Sequence, residues 1–241
     1  TAMVATDRTK IKKLHPDEFE LECTTVWAFP RRGNWATHKS DWRGNWAPEV
    51  VRNLILRYSS ESDTLLDPMI GGGTTAIEAK ILNRHIICSD VNDKALERTR
   101  TSLAFEVENN SWQRVVKCDA RNLNGVGDES VDFILTHPPY ADIIKYSEGK
   151  LNNDLSNIHD IDKFVDEMEK VARELYRVLR KGKYCAILIG DTRRKKMYQK
   201  IIFLSIVLEF TIVSPWRRLN DQDSRKISSN DNLTARQQVF G

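Results

Sequence analysis

Two short stretches hold the residues whose types and spacing could do chemistry. The first, Asp67-Pro68-Met69-Ile70-Gly71-Gly72-Gly73-Thr74-Thr75, sets a carboxylate and a proline ahead of a run of glycines. Glycines there permit a tight turn and let a ligand approach the backbone closely. No Lys-Ser or Lys-Thr pair follows the last glycine, and Lys80 stands too far along, so a triphosphate cradle of the P-loop type is excluded. One strand later the apolar run His85-Ile86-Ile87-Cys88-Ser89 ends in Asp90, a place where an acid commonly takes a ribose diol. The second stretch is Thr136-His137-Pro138-Pro139-Tyr140. Two prolines cannot continue a sheet ladder, so they stiffen the backbone where it leaves the sheet and fix the direction of its carbonyls. A fixed carbonyl, a polar side chain and an aromatic plate suit a flat base carrying an exocyclic amine. Acceptors aimed at that NH2 favour a tetrahedral, nucleophilic nitrogen over one conjugated into the ring. Either turn alone is as well explained by an ordinary strand end.

The elements that must position these turns follow from hydrophobic spacing. Residues 64–66 read as a central strand, and from Thr74 onward Ile77 and Ile81 fall on one helical face. Pro48 fits a first helical turn, with Val50, Val51, Leu54 and Ile55 forming the apolar face of a helix that runs to about Tyr58. Residues 94–109 read as a polar-rich helix, 114–118 as a third strand closed by Asp119, and 131–136 as a fourth. The best helix is 161–179, with Phe164, Val165, Met168, Val171, Ala172, Leu175 and Leu179 as its core stripe; Lys181-Gly182-Lys183 is expected to end it, before a fifth strand over 184–189. The order predicts an α/β fold: a Rossmann-like, doubly wound, mostly parallel sheet of about seven strands with helices on both faces.

A chain of 241 residues can bury one full core. Residues 1–24 read as an N-terminal arm, 25–216 as the principal domain, and 217–241 as a polar C-terminal segment that is a candidate for an incomplete final strand. The net charge of +3 hides an asymmetry, because 13 Lys and Arg stand against 4 Asp and Glu between Arg177 and Lys226. Such a surplus suits a polyanionic partner, although scattered solvated side chains would account for it equally well. Cys23, Cys88, Cys118 and Cys185 form no CxxC pair and show no zinc spacing, so no structural metal is expected and they read as buried reduced thiols of an intracellular protein. The most apolar run, 201–213, contains Glu209 and is too short to span a bilayer, and no membrane association is expected. Trp27, Trp35, Trp42 and Trp46 crowd one region, in which Arg32-Gly33-Asn34-Trp35-Ala36 recurs as Arg43-Gly44-Asn45-Trp46-Ala47. They read either as packing for a lid or as the lining of a ligand or base pocket.

Taken together, Asp67-Pro68 through Gly73-Thr74-Thr75, Asp90, and His137-Pro138-Pro139-Tyr140 resemble the amino-group DNA methyltransferases, over roughly residues 25–195. The resemblance implies S-adenosylmethionine as cofactor and double-stranded DNA as substrate, methylated at cytosine N4 or adenine N6. It assigns the methionine part of the cofactor to the turn of Asp67, Pro68, Gly71, Gly73 and Thr74. The ribose goes to Asp90, the adenine amine to Asp119, and a cofactor-side wall to Asn45 and Trp46. His137, Pro138, Pro139 and Tyr140 would be the catalytic loop. Members usually carry Asp, Asn or Ser where this chain has His137, so the role requires a deprotonated ring with the correct tautomer. The loop resembles the Thr-Ser-Pro-Pro-Tyr form, which leans to cytosine N4 with adenine N6 a close second. Carbon-5 methylation would require a cysteine beside the proline, and none occurs between Cys118 and Cys185. A duplex base would have to flip out to reach such a loop. Lys145 and the run Arg193, Arg194, Lys195, Lys196 are the candidate phosphate contacts. A prokaryotic, cytoplasmic, nucleoid-associated enzyme is expected, as monomer or homodimer. The competing readings are an RNA base methyltransferase and an inactive cofactor-binding subunit of a modification complex.

Overall fold

The computed structural model describes residues 11, 13–139, 151, 153–188, 192–194, 197–199 and 239–240. Its main sheet is built from β1 (Thr64–Asp67), β2 (His85–Asp90), β3 (Gln113–Lys117), β4 (Val131–Thr136), β5 (Leu179–Leu188) and, after a separate β6–β7 hairpin (Thr192–Arg194, Met197–Gln199), β8 (Val239–Phe240). The strand order is β3-β2-β1-β4-β5-β8. The first five strands are parallel neighbours and β8 closes the edge antiparallel to β5. The expected mostly parallel, doubly wound sheet is therefore present, with six strands among the described residues against the seven or so anticipated. Chain order reverses between β1 and β4, which makes the carboxyl ends of those strands the natural place for a ligand crevice.

Alternation along the central strands feeds two cores. Leu65, Ile86, Phe133 and Leu135 pack with Val50, Val51, Leu54 and Ile55 of α1 (Pro48–Tyr58), Ala76 and Ala79 of α2 (Thr74–Ile81) and Leu96 of α3 (Asp93–Ser102). Their strand neighbours Leu66, Ile87 and Ile134 face the other way, onto Phe164, Met168, Val171 and Leu175 of α4 (Ile161–Val178). Each such fully buried side chain is worth about 1.5–3 kcal/mol of transfer free energy, so a one-residue slip of register would exchange the two cores wholesale. A third cluster, Trp35, Ile77, Ile81 and Phe105, lets Ile11, Leu14 and Ala36 pack against α2. Its polar anchor is the fully buried Glu78, which accepts from Trp35 Nε1 (2.6 Å) and Arg52 Nη1 (3.0 Å) and sits 2.7 Å from His38 Nε2.

Three sequence expectations need correction. α3 stops at Ser102 instead of reaching 109, because Lys80 Nζ donates to the carbonyls of Leu103 (2.8 Å) and Phe105 (2.6 Å) and turns Phe105 into the core beside α2. Lys181-Gly182-Lys183 does not cap α4. The helix ends at Val178 and β5 begins at once, since Leu179 pairs with Val131. Gly182, at φ 75°, lies inside the register shift that separates this pair from Phe133↔Tyr184. Nor are the four cysteines uniformly buried: Cys23 is exposed, Cys88 buried, and Cys118 and Cys185 intermediate, all as free thiols. No described helix is long and apolar enough to cross a membrane, and the run 201–213 lies outside the described residues.

Candidate active site

At the carboxyl ends of β1 to β4 lies an open crevice, the place where open α/β sheets bind their ligands. The turn after β1 supplies Pro68, Met69, Ile70, Gly71 and Gly72; the end of β2 supplies Asp90, Val91 and Asn92; Asp119 and Ala120 follow β3. His137 and Pro139 follow β4, and Trp42, Asn45 and Trp46 close the wall from the N-terminal side. The two turns singled out in the sequence thus meet over one crevice.

Local structure explains how each side chain is held. Gly71, at φ 51°, turns its N–H onto Asp90 Oδ2 (3.0 Å), while Asp90 Oδ1 accepts from Asn92 N (2.9 Å). The carboxylate therefore fixes the β1 turn and keeps lone pairs for a ligand hydroxyl. A Cβ on Gly71 would stand 3.1 Å from Trp42 Nε1, so the glycine also lets the indole wall close on the turn. Asn45 Oδ1 accepts from Thr74 Oγ1 (2.7 Å), and Arg32 Nη1 donates to the carbonyls of Asn45 (3.2 Å) and Trp46 (2.6 Å), which pins the wall. Asp119 is committed to Arg121 through Nε (3.0 Å) and Nη2 (2.6 Å), and Arg121 reaches on to Glu167 of α4 and the Asn153 carbonyl.

Electrostatics divide the site by strand. Asp67 is 2% exposed and burial pushes its carboxyl up to about 7, against the hydrogen bond from Met69 N (3.1 Å) that acts to lower it. Asp90 is also raised, by burial first, opposed by the Asn92 and Gly71 N–H groups and reinforced by the charge of Asp154. His137 is pushed down to about 4 by burial, only partly offset by its hydrogen bond to the Gly44 backbone. It is therefore neutral at pH 7, and donating one ring N–H to Gly44 makes the other nitrogen the unprotonated one. The ring lies 5.9 Å from the Trp46 ring, tilted by 33°.

Of the residues expected at the site, Asn45, Trp46, Asp67, Pro68, Gly71, Asp90, Asp119, His137 and Pro139 line the crevice. Three do not. Gly73 is the left-handed N-cap of α2 (φ 87°) and faces α3, where a Cβ would meet Thr99 Oγ1 at 3.1 Å and its Cα at 3.3 Å. Thr74 is buried behind Asn45, and Pro138 is buried. Arg193 and Arg194 lie on β6, opposite Tyr198 and Met197 in the separate hairpin. Tyr140, Lys145, Lys195 and Lys196 lie outside the described residues. The tryptophans divide between the two roles left open. Trp35 is core, Trp42 and Trp46 line the crevice, and Trp27 packs against the α1 side. The two Arg-Gly-Asn-Trp-Ala copies accordingly sit in different environments. Missed in the sequence were Asn92 and the segment Asn153-Asp154-Leu155. An Asx-turn signal, an Asp or Asn just ahead of a helix or turn, was legible at both places but pointed only to local structure. Among the described residues no cysteine lines the crevice and no group of His, Cys, Asp or Glu is placed to hold a metal ion.

The donor set of S-adenosylmethionine, a sulfonium cation with an ammonium, a ribose diol and an adenine amine, fits this crevice. Carboxylates stand at the ends of β1, β2 and β3, with apolar Ile70, Val91 and Ala120 between them.

Comparison with known proteins agrees with this chemistry. Residues 3–101 match the family described as DNA methylase, and residues 55–204 match the RMKL-like methyltransferase domain. A tRNA (guanine(10)-N2)-dimethyltransferase of Methanothermobacter thermautotrophicus is 33% identical over 105 residues, 41% of this chain and 28% of that protein. The type II methyltransferase M2.DpnII of Streptococcus pneumoniae is 38% identical over 61 residues, 25% of this chain and 23% of that protein. The chain thus spans about a quarter of the length of these relatives. Among solved structures, TrmN from Thermus thermophilus superposes with a TM-score of 0.45 at 22% identity, covering 65% of this chain and 48% of that one. The resemblance to amino-group methyltransferases read from the paired motifs is borne out, and because the second family match takes in more than half of the sequence, the chain belongs to the RMKL-like methyltransferase-domain family, with S-adenosylmethionine as its cofactor.

Proposed function

We propose that this protein methylates the exocyclic amine of a nucleobase in double-stranded DNA, at cytosine N4 in preference to adenine N6, after the base has flipped out of the duplex. The observation that carries the reading is that Gly71 and Asp90 on one side and His137 and Pro139 on the other line a single crevice. The match to the DNA methylase family over residues 3–101 supports DNA as the substrate.

When bound, S-adenosylmethionine supplies an electrophilic methyl carbon on a positively charged sulfur. Asp67 and the turn after β1 would hold its amino-acid end and Asp90 its ribose, while Trp42 and Trp46 would exclude water from the crevice they line. The unprotonated nitrogen of His137 accepts a hydrogen bond from the target amine, and the loop stiffened by Pro138 and Pro139 supplies a second acceptor. Together they keep the amine lone pair out of the ring and turned towards the methyl. Burial keeps the ring neutral at pH 7, so His137 acts as an acceptor that orients the amine, and the proton released after transfer leaves the site to solvent.

The tRNA-modifying relative, matched over a longer stretch than the DNA-modifying one, favours a second reading in which the amine belongs to an RNA base. Incubation with methyl-labelled cofactor and either duplex DNA or tRNA, followed by digestion to nucleosides and mass identification, tests both. The expected product is N4-methylcytosine in DNA. Label confined to tRNA overturns the DNA reading, and label in neither overturns the enzyme. In the active assay His137→Ala is expected to lower kcat by roughly 10²- to 10³-fold with little change in cofactor affinity; an unchanged rate removes His137 from the mechanism.

A further inference from the structure

Of the carboxylates that line the crevice, Asp154 is the one the sequence did not place there. It stands on a 3-10 turn, Leu155–Asn157, where its Oδ1 accepts from Ser156 N at 2.8 Å. Leu155 anchors the turn in the core beneath α4, and Asn157 Nδ2 ties it back to the Leu151 carbonyl at 2.7 Å. The side chain is thereby fixed. Asp154 is only 7% exposed, yet its Oδ2 is buried without a hydrogen-bond partner. The other acids at the β2 and β3 ends are engaged: Asp90 with the backbone of Gly71 and Asn92, Asp119 with Arg121. A buried oxygen with nothing to accept, on a residue held rigid and lining a crevice, lacks a donor that a ligand would bring.

One hydrogen bond places that donor. The carbonyl of the preceding residue, Asn153, accepts from Arg121 Nη2 at 3.1 Å, and Arg121 in turn holds Asp119 beyond β3. The turn is therefore tied to the β3 end of the crevice. We infer that Asp154 is a cofactor-contact residue whose Oδ2 accepts a hydrogen bond from the nucleoside part of S-adenosylmethionine. The inference rests on S-adenosylmethionine occupying this crevice. It makes Asp154 a residue that costs the ligand-free protein stability, because a buried carboxyl oxygen is kept without a donor, and that returns the cost when the ligand's donor arrives.

Calorimetric titration of the full chain with S-adenosylhomocysteine and with 5′-methylthioadenosine, which lacks the amino-acid end, tests it beside thermal melts of the ligand-free proteins. Asp154→Asn and Asp154→Ser both keep an acceptor for Ser156 N–H while removing the second carboxylate oxygen. Each is expected to weaken both ligands at least tenfold and to leave the ligand-free melting temperature unchanged or raised. Affinities within twofold of wild type in either variant overturn the inference. So does a loss for S-adenosylhomocysteine with none for 5′-methylthioadenosine, which would put the contact at the amino-acid end. A fall in affinity matched by a fall of several degrees in the ligand-free melt in both variants would reduce Asp154 to a structural cap and overturns it as well. Wild-type protein that binds neither ligand would instead sink the cofactor reading itself.

Discussion

At the scale of the residue, the site works by burying groups that water would ionise. Asp67 keeps its proton to about pH 7 when folded, against 3.8 for the free side chain. Between those values the native state binds more protons than the unfolded one, so this carboxyl makes stability fall as pH rises through that window. A shift of that size is worth on the order of 4 kcal/mol. Asp67→Asn is therefore expected to melt above the wild type at pH 8 in the ligand-free form, with the gap closing towards pH 4. Ionised Asp67 also attracts a cationic ligand, so affinity for S-adenosylmethionine should rise as pH passes upward through about 7 in the wild type and stay flat in Asp67→Asn. A variant that melts below wild type at pH 8 would contradict the assignment. His137 has the opposite sign: its lowered pKa makes the native state prefer the neutral ring, so stability falls as pH drops from 6.5 through about 4.

At the scale of the element, the turn between β1 and α2 is held by its neighbours more than by its own hydrogen bonds. Gly71 hangs from Asp90 of β2, Thr99 Oγ1 of α3 donates to the Gly71 carbonyl at 3.3 Å, and Gly73 abuts Thr99 itself. Gly73→Ala meets both a left-handed backbone and a Cα at 3.3 Å. It is expected to cost about 1–2 kcal/mol for the backbone alone, plus whatever α3 must yield. Denaturant unfolding measures this cost, and no loss of stability would mean that α3 moves freely. The helices were read well wherever an apolar stripe ran the whole length, as in α1 and α4. α3 was overrun because its end is fixed by Lys80 from α2, a contact that local spacing does not encode. β5 was started late because Lys181-Gly182-Lys183 has the composition of a helix cap while Leu179 already pairs with Val131.

At the scale of the whole molecule, parallel strands deliver four loops to one edge, and the reversal of order between β1 and β4 opens the crevice there. The basic surplus of the C-terminal part is the proposed source of nucleic-acid affinity, with Arg193 and Arg194 carried by the β6–β7 hairpin outside the main sheet. Replacing Arg193, Arg194, Lys195 and Lys196 by Ala is expected to flatten the dependence of log affinity on log salt by about 0.9 for each phosphate that is no longer neutralised. An unchanged slope in a filter-binding or anisotropy titration would remove this run from the interface.

The sequence by itself determined the sheet and the two chemical turns. Period-two alternation, glycine and proline positions, and the acids at strand ends are local properties that each segment carries wherever it is placed. Only the tertiary structure decided which of those residues face a ligand. Gly73, Thr74 and Pro138 belong to the motifs yet are buried away from the crevice, Gly73 against α3 and Thr74 against Asn45. Trp42, Asn92 and Asp154 belong to no motif yet line the crevice, because segments far apart in the chain converge on the ends of four parallel strands. The state of His137 was likewise beyond the sequence: its neutrality comes from burial beside Trp46 and Gly44, and burial is a property of the assembled fold.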